Sequence, residues 1–264
     1  TVARLERVAA ECRERGSVEA LAGFLLDWGM VAAGPLRQAQ TRWLAEFMAD
    51  QKVAQAPARR NLRLVYGKLL WSCEQRDDAL RILEVALHDP IDSPGSHTDL
   101  SRDPVLDTAA GYLCETAQFQ RCESMLRSRL GRAAESGEKA RLEADLAALW
   151  VQALSGRQTM HAGAGQPLYD AAHRQLRTWL DTAAGLHFTK LVEHLCALHV
   201  AAHREGCKDV PKHLQELSQA LPAMLAAPLV GCRVQDVVET VAAARHQVLG
   251  PRAALDFLLG WIER

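Results

Sequence analysis

Along almost the whole 264-residue chain, apolar residues recur three and four positions apart, and no β-branched stretch alternates with polar residues. Steps of three and four place side chains on one face of an α-helix, whereas a half-buried strand needs a step of two. This pattern leaves the chain little to build except amphipathic helices. Ala and Leu dominate, and aromatic residues make up only 5%. The expected fold class is therefore all-α. Hydrophobic residues at 48% and charged residues at 24% exclude a wholly disordered chain.

Glycine, proline and capping residues mark the helix ends. Val2, Leu5, Val8, Ala9 and Cys12 form one stripe, closed by Gly16. Ser17 caps a second helix carrying Leu21, Phe24, Leu25 and Trp28, which Gly29 ends. Pro35 opens a third, with Leu36, Ala39, Trp43, Phe47 and Met48 on one face; Pro57 follows as a breaker. Helices then come in pairs: 60–74 with 77–88, 104–116 with 119–131, and 138–155 with 167–182 across the glycine-rich loop Gly156–Gly165. Residues 187–204 pair with 210–221, where Pro222 ends or kinks the second helix, and 233–248 pair with 251–263. The first helices start roughly 34–49 residues apart, an interval typical of stacked supersecondary units. Residues 89–103, with Pro90, Pro94 and Gly95, read as a surface excursion within the stack. The expected organisation is one domain over 1–264, with N-terminal helices in 1–56, the best pairs in 57–131 and divergent pairs in 132–264. A start at Thr1 rather than Met, and a stop within a helical pattern at Arg264, are what a fragment of a longer protein would show.

The stretch from Asn61 to Pro90 resembles a tetratricopeptide repeat. Gly67 stands where the first helix must let its partner approach, and Ala79 and Ala86 occupy the small positions of the second. Leu70, Leu83 and Leu87 are the fillers, and Pro90 stops the unit one residue early. The turn Glu74–Asp77 has the right length but lacks the family's usual glycine. The next pair is similar more loosely, through Leu106, Ala110 and Leu113, then Phe119, Cys122, Leu126 and Leu130. In the third pair Leu146, Ala147 and Trp150 face Ala172, Leu176 and Trp179; the last two pairs keep only the apolar spacing. The resemblance implies a right-handed superhelical stack of helical hairpins, an α-solenoid. Its first helices would line a concave groove holding a peptide, helix or loop of another protein. Carried onto this chain, the groove positions are Asn61, Leu64, Lys68 and Trp71 in one unit and Asp107, Gly111 and Glu115 in the next. The Lys, Asn and Arg clamp with which chaperone-binding members hold a C-terminal carboxylate is missing, and Asp107 and Glu115 would repel one. Lys68 beside Trp71 could form a local anchor, since tryptophan and cationic residues favour binding hot spots. The competing reading packs Trp71 between repeats.

Charge points to no polyanionic partner. The formal net charge is -1, balanced in both halves, so neither nucleic acid nor an anionic membrane is expected as a partner. No apolar run reaches the roughly 18 residues needed to enter and span a bilayer. The seven cysteines sit mostly in helical patterns and read as free thiols of a reducing compartment, hence a cytoplasmic location. Arg59, Arg60, Arg63 and Lys68, with Arg37 and Arg42 upstream, read first as a solvated face and second as a site for phosphate or an acidic partner.

Catalytic motifs are scarce. Gly131 to Lys139 has the wrong glycine spacing for a phosphate loop, and Gly163–Ala164–Gly165 follows no strand. Neither a Gly-x-Ser-x-Gly elbow nor a His-Glu-x-x-His zinc motif occurs. Asp77 and Asp78 sit at a helix start, where they complement the macrodipole. The sharpest constellation is Cys196, His199, His203 and Cys207, whose steps of three and four share an arc of roughly 80°. Along a straight helix they would span about 16 Å, too long for one ion. Gly206 could return Cys207, although His213 would serve equally well. A core role is favoured, with no metal and no cofactor expected. The functional expectation is a non-catalytic protein–protein interaction scaffold or adaptor. The alternatives are a coat-like α-solenoid assembling at membranes through partners, and a metal-binding helical protein using the Cys196, His199 and His203 region.

Overall fold

The computed structural model describes residues 35–49, 59–89, 103–156, 165–226 and 231–263, together with 7, 10 and 11. Among the described residues there are eleven packed helices and no strand, so the fold is all-α. The first expected helix apart from residues 7, 10 and 11, the second helix before Gly29, the breaker Pro57, the excursion with Pro90, Pro94 and Gly95, and the loop at 157–164 lie outside them. In chain order the helices are α1 (Pro35–Met48), α2 (Arg59–Ser72), α3 (Arg76–Ala86), α4 (Pro104–Glu115), α5 (Phe119–Leu130) and α6 (Ser136–Ser155). They continue with α7 (Gln166–Leu180), α8 (Gly185–Arg204), α9 (Val210–Leu225), α10 (Val234–Leu249) and α11 (Pro251–Ile262). Pro222 does not end α9, which runs on to Leu225. No helix among the described residues is long and apolar enough to cross a membrane.

Contacts divide the chain into two compact units, Thr1–Thr116 and Ala117–Arg264, and the division falls inside the pair expected over 104–131. In the first unit α1 and α3 pack on α2, and α4 packs on both α2 and α3. The core is Leu44, Leu62, Val65, Leu69, Leu70, Ala79, Leu80, Leu83, Leu106 and Leu113, all buried. The α2–α3 crossing depends on Gly67: a Cβ there would lie 2.8 Å from Leu83 Cγ, 2.9 Å from Leu83 Cδ2 and 3.5 Å from the Ala79 carbonyl. Between these helices Glu74 takes a left-handed φ of 63°, and the Gln75 N–H donates back to the Leu70 carbonyl at 3.0 Å. That Schellman-type stop normally uses glycine, as α8 does with Gly206 at φ 72°.

Arg59, Arg60 and Arg63 of α2 are not a solvated face, although Arg42 of α1 is exposed. Arg60 is buried, and donates to the carbonyls of Ala86 and Asp89 at 2.9 Å each and to the Asp103 carboxylate at 2.5 Å. Arg59 pairs with Asp89 at 2.9 Å, and Arg63 pairs with the second oxygen of the same carboxylate. Asp103 also accepts from the backbone N–H groups of Val105 and Leu106, capping α4 ahead of Pro104. The cluster thus ties α2 to the end of α3 and the start of α4.

In the second unit the first helices of successive hairpins lie side by side: α6 packs on α8, and α8 on α10. Their partners fill in around them. The α5 helix packs on α6, α7 on α6 and α8, α9 on α8 and α10, and α11 on α10. Leu142, Leu146, Leu154, Leu191, Leu195, Leu198, Leu214 and Val241 are fully enclosed here. Trp150 of α6 stacks on Trp179 of α7, with ring centroids 5.6 Å apart.

Candidate functional site

Groove positions transferred from the repeat family fall on α2 and α4, which pack against one another. Asn61 and Lys68 are half-buried on α2. Leu64 is only 5% exposed and belongs to the core, so it offers no surface to a partner. Trp71 is half-buried and lies flat on Tyr112 of α4, with centroids 3.8 Å apart and planes 5° from parallel. The Arg76 guanidinium sits 5.5 Å from the Trp71 ring centroid, a cation–π distance. On α4, Asp107, Gly111 and Glu115 are exposed, and a Cβ added at Gly111 would meet nothing within 4 Å. The hydroxyl of Tyr112 is held above its ordinary pKa by burial and, secondarily, by the Glu115 charge. The stack therefore bridges two helices while its outer edge stays open. Tyr112 was not among the transferred positions, although it directly follows one of them, Gly111.

The Cys196, His199, His203 and Cys207 series lies on α8 and the turn after it. Cys196 and His199 point into the core and Cys207 is buried, while His203 is exposed. Burial pushes the Cys196 thiol up to about 12, and raises that of Cys207 with help from Glu205 and Asp170. Among the described residues no group of three or more His, Cys, Asp or Glu side chains is placed to hold a metal ion.

His199 instead joins a cluster drawn from three helices. The Tyr169 hydroxyl of α7 lies 3.0 Å from His199 Nδ1 and 2.9 Å from Nδ1 of His213 on α9. The His173 ring, one turn after Tyr169, stacks on His213 with centroids 4.0 Å apart. One hydroxyl carries one proton, so Tyr169 donates to one imidazole and accepts from the N–H of the other. The two rings must then hold opposite tautomers when both are neutral. Desolvation, then His213 and Arg177, lower His173 from 6.5 to about 4. Desolvation, then His173, His213 and Arg177, lower His199 to about 3. Burial raises Tyr169 well above its ordinary value. At neutral pH Tyr169, His173 and His199 are therefore uncharged hydrogen-bonding groups. His199 Nε2 and Arg177 Nη1 are buried with no hydrogen-bond partner among the described residues.

Comparison with protein-family models, with curated proteins and with solved structures found no match for the chain.

Proposed function

We propose that the chain is a non-catalytic interaction scaffold, a tetratricopeptide-like α-solenoid that holds a peptide segment of a partner protein along α2 and α4. The observation that carries this reading is the half-exposed stack of Trp71 on Tyr112 between two neighbouring first helices. An aromatic pair with an open outer edge is a ready seat for an apolar side chain. Lys68 lies one turn before Trp71, while Asp107 and Glu115 lie on α4. A matching segment would carry an apolar anchor, an acidic residue toward Lys68 and a basic residue toward Glu115. The stacking of α6, α8 and α10 supports the hairpin-repeat part of the reading. The scaffold would act in the cytoplasm, in keeping with the thiols of Cys73, Cys196, Cys207 and Cys232.

Panning a random-peptide phage library against the purified chain, followed by anisotropy titration of the selected peptides, tests the groove. Selected peptides should share the apolar anchor flanked by opposite charges. Trp71→Ala should cost about 1–3 kcal/mol of binding with the fold retained, and Lys68→Glu and Glu115→Lys should each weaken it. Arg81→Glu, on the outer face of α3, should change nothing. If Arg81→Glu alone abolishes binding, the active face is the other one and the groove assignment fails.

A further inference from the structure

We infer that the second unit contains a binding pocket for a phosphate monoester, formed by α7 and the start of α9 and centred on Arg177, Arg174, His173 and His213. The pocket has a volume of about 400 Å³, within the usual range for small-ligand sites. Asp170, His173, Arg174, Arg177, Thr178 and Asp181 line it from one face of α7, and His213 closes it from α9. Residues three, four and seven apart on a helix share a face, so His173, Arg174 and Arg177 converge on one opening.

Three observations point to an anion. First, Arg177 Nη1 is buried yet meets no acceptor, although two carboxylates line the same pocket. A buried guanidinium nitrogen without an acceptor is costly unless a ligand supplies one. Second, His199 Nε2, behind the same cluster, is also orphaned. Polar groups are seldom left unmatched in a well-packed interior, and such lapses concentrate at functional sites. Third, the carboxylate beside His173 is already engaged. Asp170 accepts from the Gln166 amide at 2.7 Å, and the oxygen of that amide accepts from the Lys208 N–H at 2.6 Å. Asp181, at the α7 C-cap, stands one turn after Arg177, about 6 Å along the axis, and still leaves Arg177 Nη1 without an acceptor among the described residues.

Donor arrangement selects the class of anion. A carboxylate is planar, and one guanidinium can satisfy it through two parallel hydrogen bonds. Here donors come from two helices: two guanidinium groups and the imidazole N–H groups. Donors spread around a centre suit a tetrahedral oxyanion better than a planar one. Asp181 is placed to accept from hydroxyl groups on the organic part of the ester. The site lies in residues 117–264 and does not depend on the peptide groove.

The test is thermal shift and calorimetric titration of the whole chain with glycerol phosphate and inorganic phosphate. Acetate and sodium chloride at matched ionic strength serve as controls. The expected result is a saturable rise in Tm with the two phosphates, stronger for the ester, and none with chloride. Arg177→Met should leave the ligand-free Tm unchanged or higher, because the buried Nη1 atom it removes has no partner among the described residues, and should abolish the shift. Arg174→Gln, at the exposed mouth, should weaken binding at least tenfold without altering the fold. Phosphate shifts that chloride reproduces, or that survive both substitutions, would overturn the site. Saturable binding of acetate as tight as that of glycerol phosphate would overturn its assignment to phosphate.

Discussion

At the scale of single residues, the structure rests on a few positions where size or charge has no latitude. Gly67 is one. Replacing glycine by alanine inside a helix normally gains up to about 1 kcal/mol in helix propensity. Here the new methyl would fall 2.8 Å and 2.9 Å from two atoms of Leu83, which is fully buried and cannot swing away. Overpacking of this kind costs about 1–3 kcal/mol, so the clash wins and Gly67→Ala should lower the urea midpoint. Adding Leu83→Ala should cost less in that background than alone, because the two changes share one space. His173 and His199 are a second case, governed by charge. Unfolded, each takes up a proton near 6.5; folded, they do so only near about 4 and about 3. Between these values the unfolded chain binds more protons, so stability present above pH 6.5 is lost as pH falls toward 4. The groups facing His173 are His213, Arg177, Asp170, Tyr169 and His199; His213 and Arg177 reinforce the effect of burial, and Asp170 opposes it. Urea midpoints measured from pH 7.5 to 4.5 should fall more steeply for wild type than for His173→Gln. Parallel profiles would show that His173 is not kept neutral by its surroundings.

At the scale of helices, Asp103 does two jobs: it caps α4 and neutralises Arg60. The two partners are not equivalent. Without Arg60, Asp103 keeps its bonds from the Val105 and Leu106 N–H groups. Without Asp103, the buried Arg60 guanidinium retains, among the described residues, the two carbonyls of Ala86 and Asp89. Stranding a buried charge costs about 3–5 kcal/mol and losing a cap about 1 kcal/mol. Asp103→Ala should therefore destabilise by several kcal/mol and distinctly more than Arg60→Met in chemical denaturation. Equal losses would mean that the pair, rather than the stranded charge, sets the cost. This cluster also marks where sequence reading stops. Helix positions were legible because period, proline and caps are local signals: Pro35 stands at the first turn it was expected to open, and the helices expected from 104 and 251 start there. The Gly67–Leu83 crossing was legible because a small residue opposite a large one is a pattern within thirty positions. Arg60 looked like surface because its acid comes 43 residues later, across residues 90–102. The Tyr169, His173, His199 and His213 cluster was hidden for the same reason. Its members sit on three helices, and only His199 and His213 stood out locally, as metal ligands rather than as partners of a tyrosine.

At the scale of the whole molecule, the question is how far each compact unit carries its own stability. Residues 117–264 bury the aromatic or imidazole side chains of Trp150, Tyr169, Trp179, Phe188 and His199, within plain layers: α6, α8 and α10 pack side by side, and α7 and α9 cover them. Trp150, Tyr169, Leu142, Leu146 and Leu154 are all at most 2% exposed within this unit. A chain of about 150 residues can bury roughly 70% of its unfolded surface, enough for a cooperative domain. The capping, too, is internal: the Arg129 and Glu138 pair at 2.6 Å joins the end of α5 to the start of α6. Stacked hairpins derive stability chiefly from their nearest neighbours, so removing distant units should leave the remainder folded. Residues 117–264 expressed alone should therefore show a strongly helical circular dichroism spectrum and a single cooperative melt. The depressed titration of His173 should persist in that fragment by NMR, because every group that faces it belongs to the same unit. A molten, non-cooperative product would show that the first 116 residues supply packing this unit cannot do without, and would limit the nearest-neighbour description of the stack.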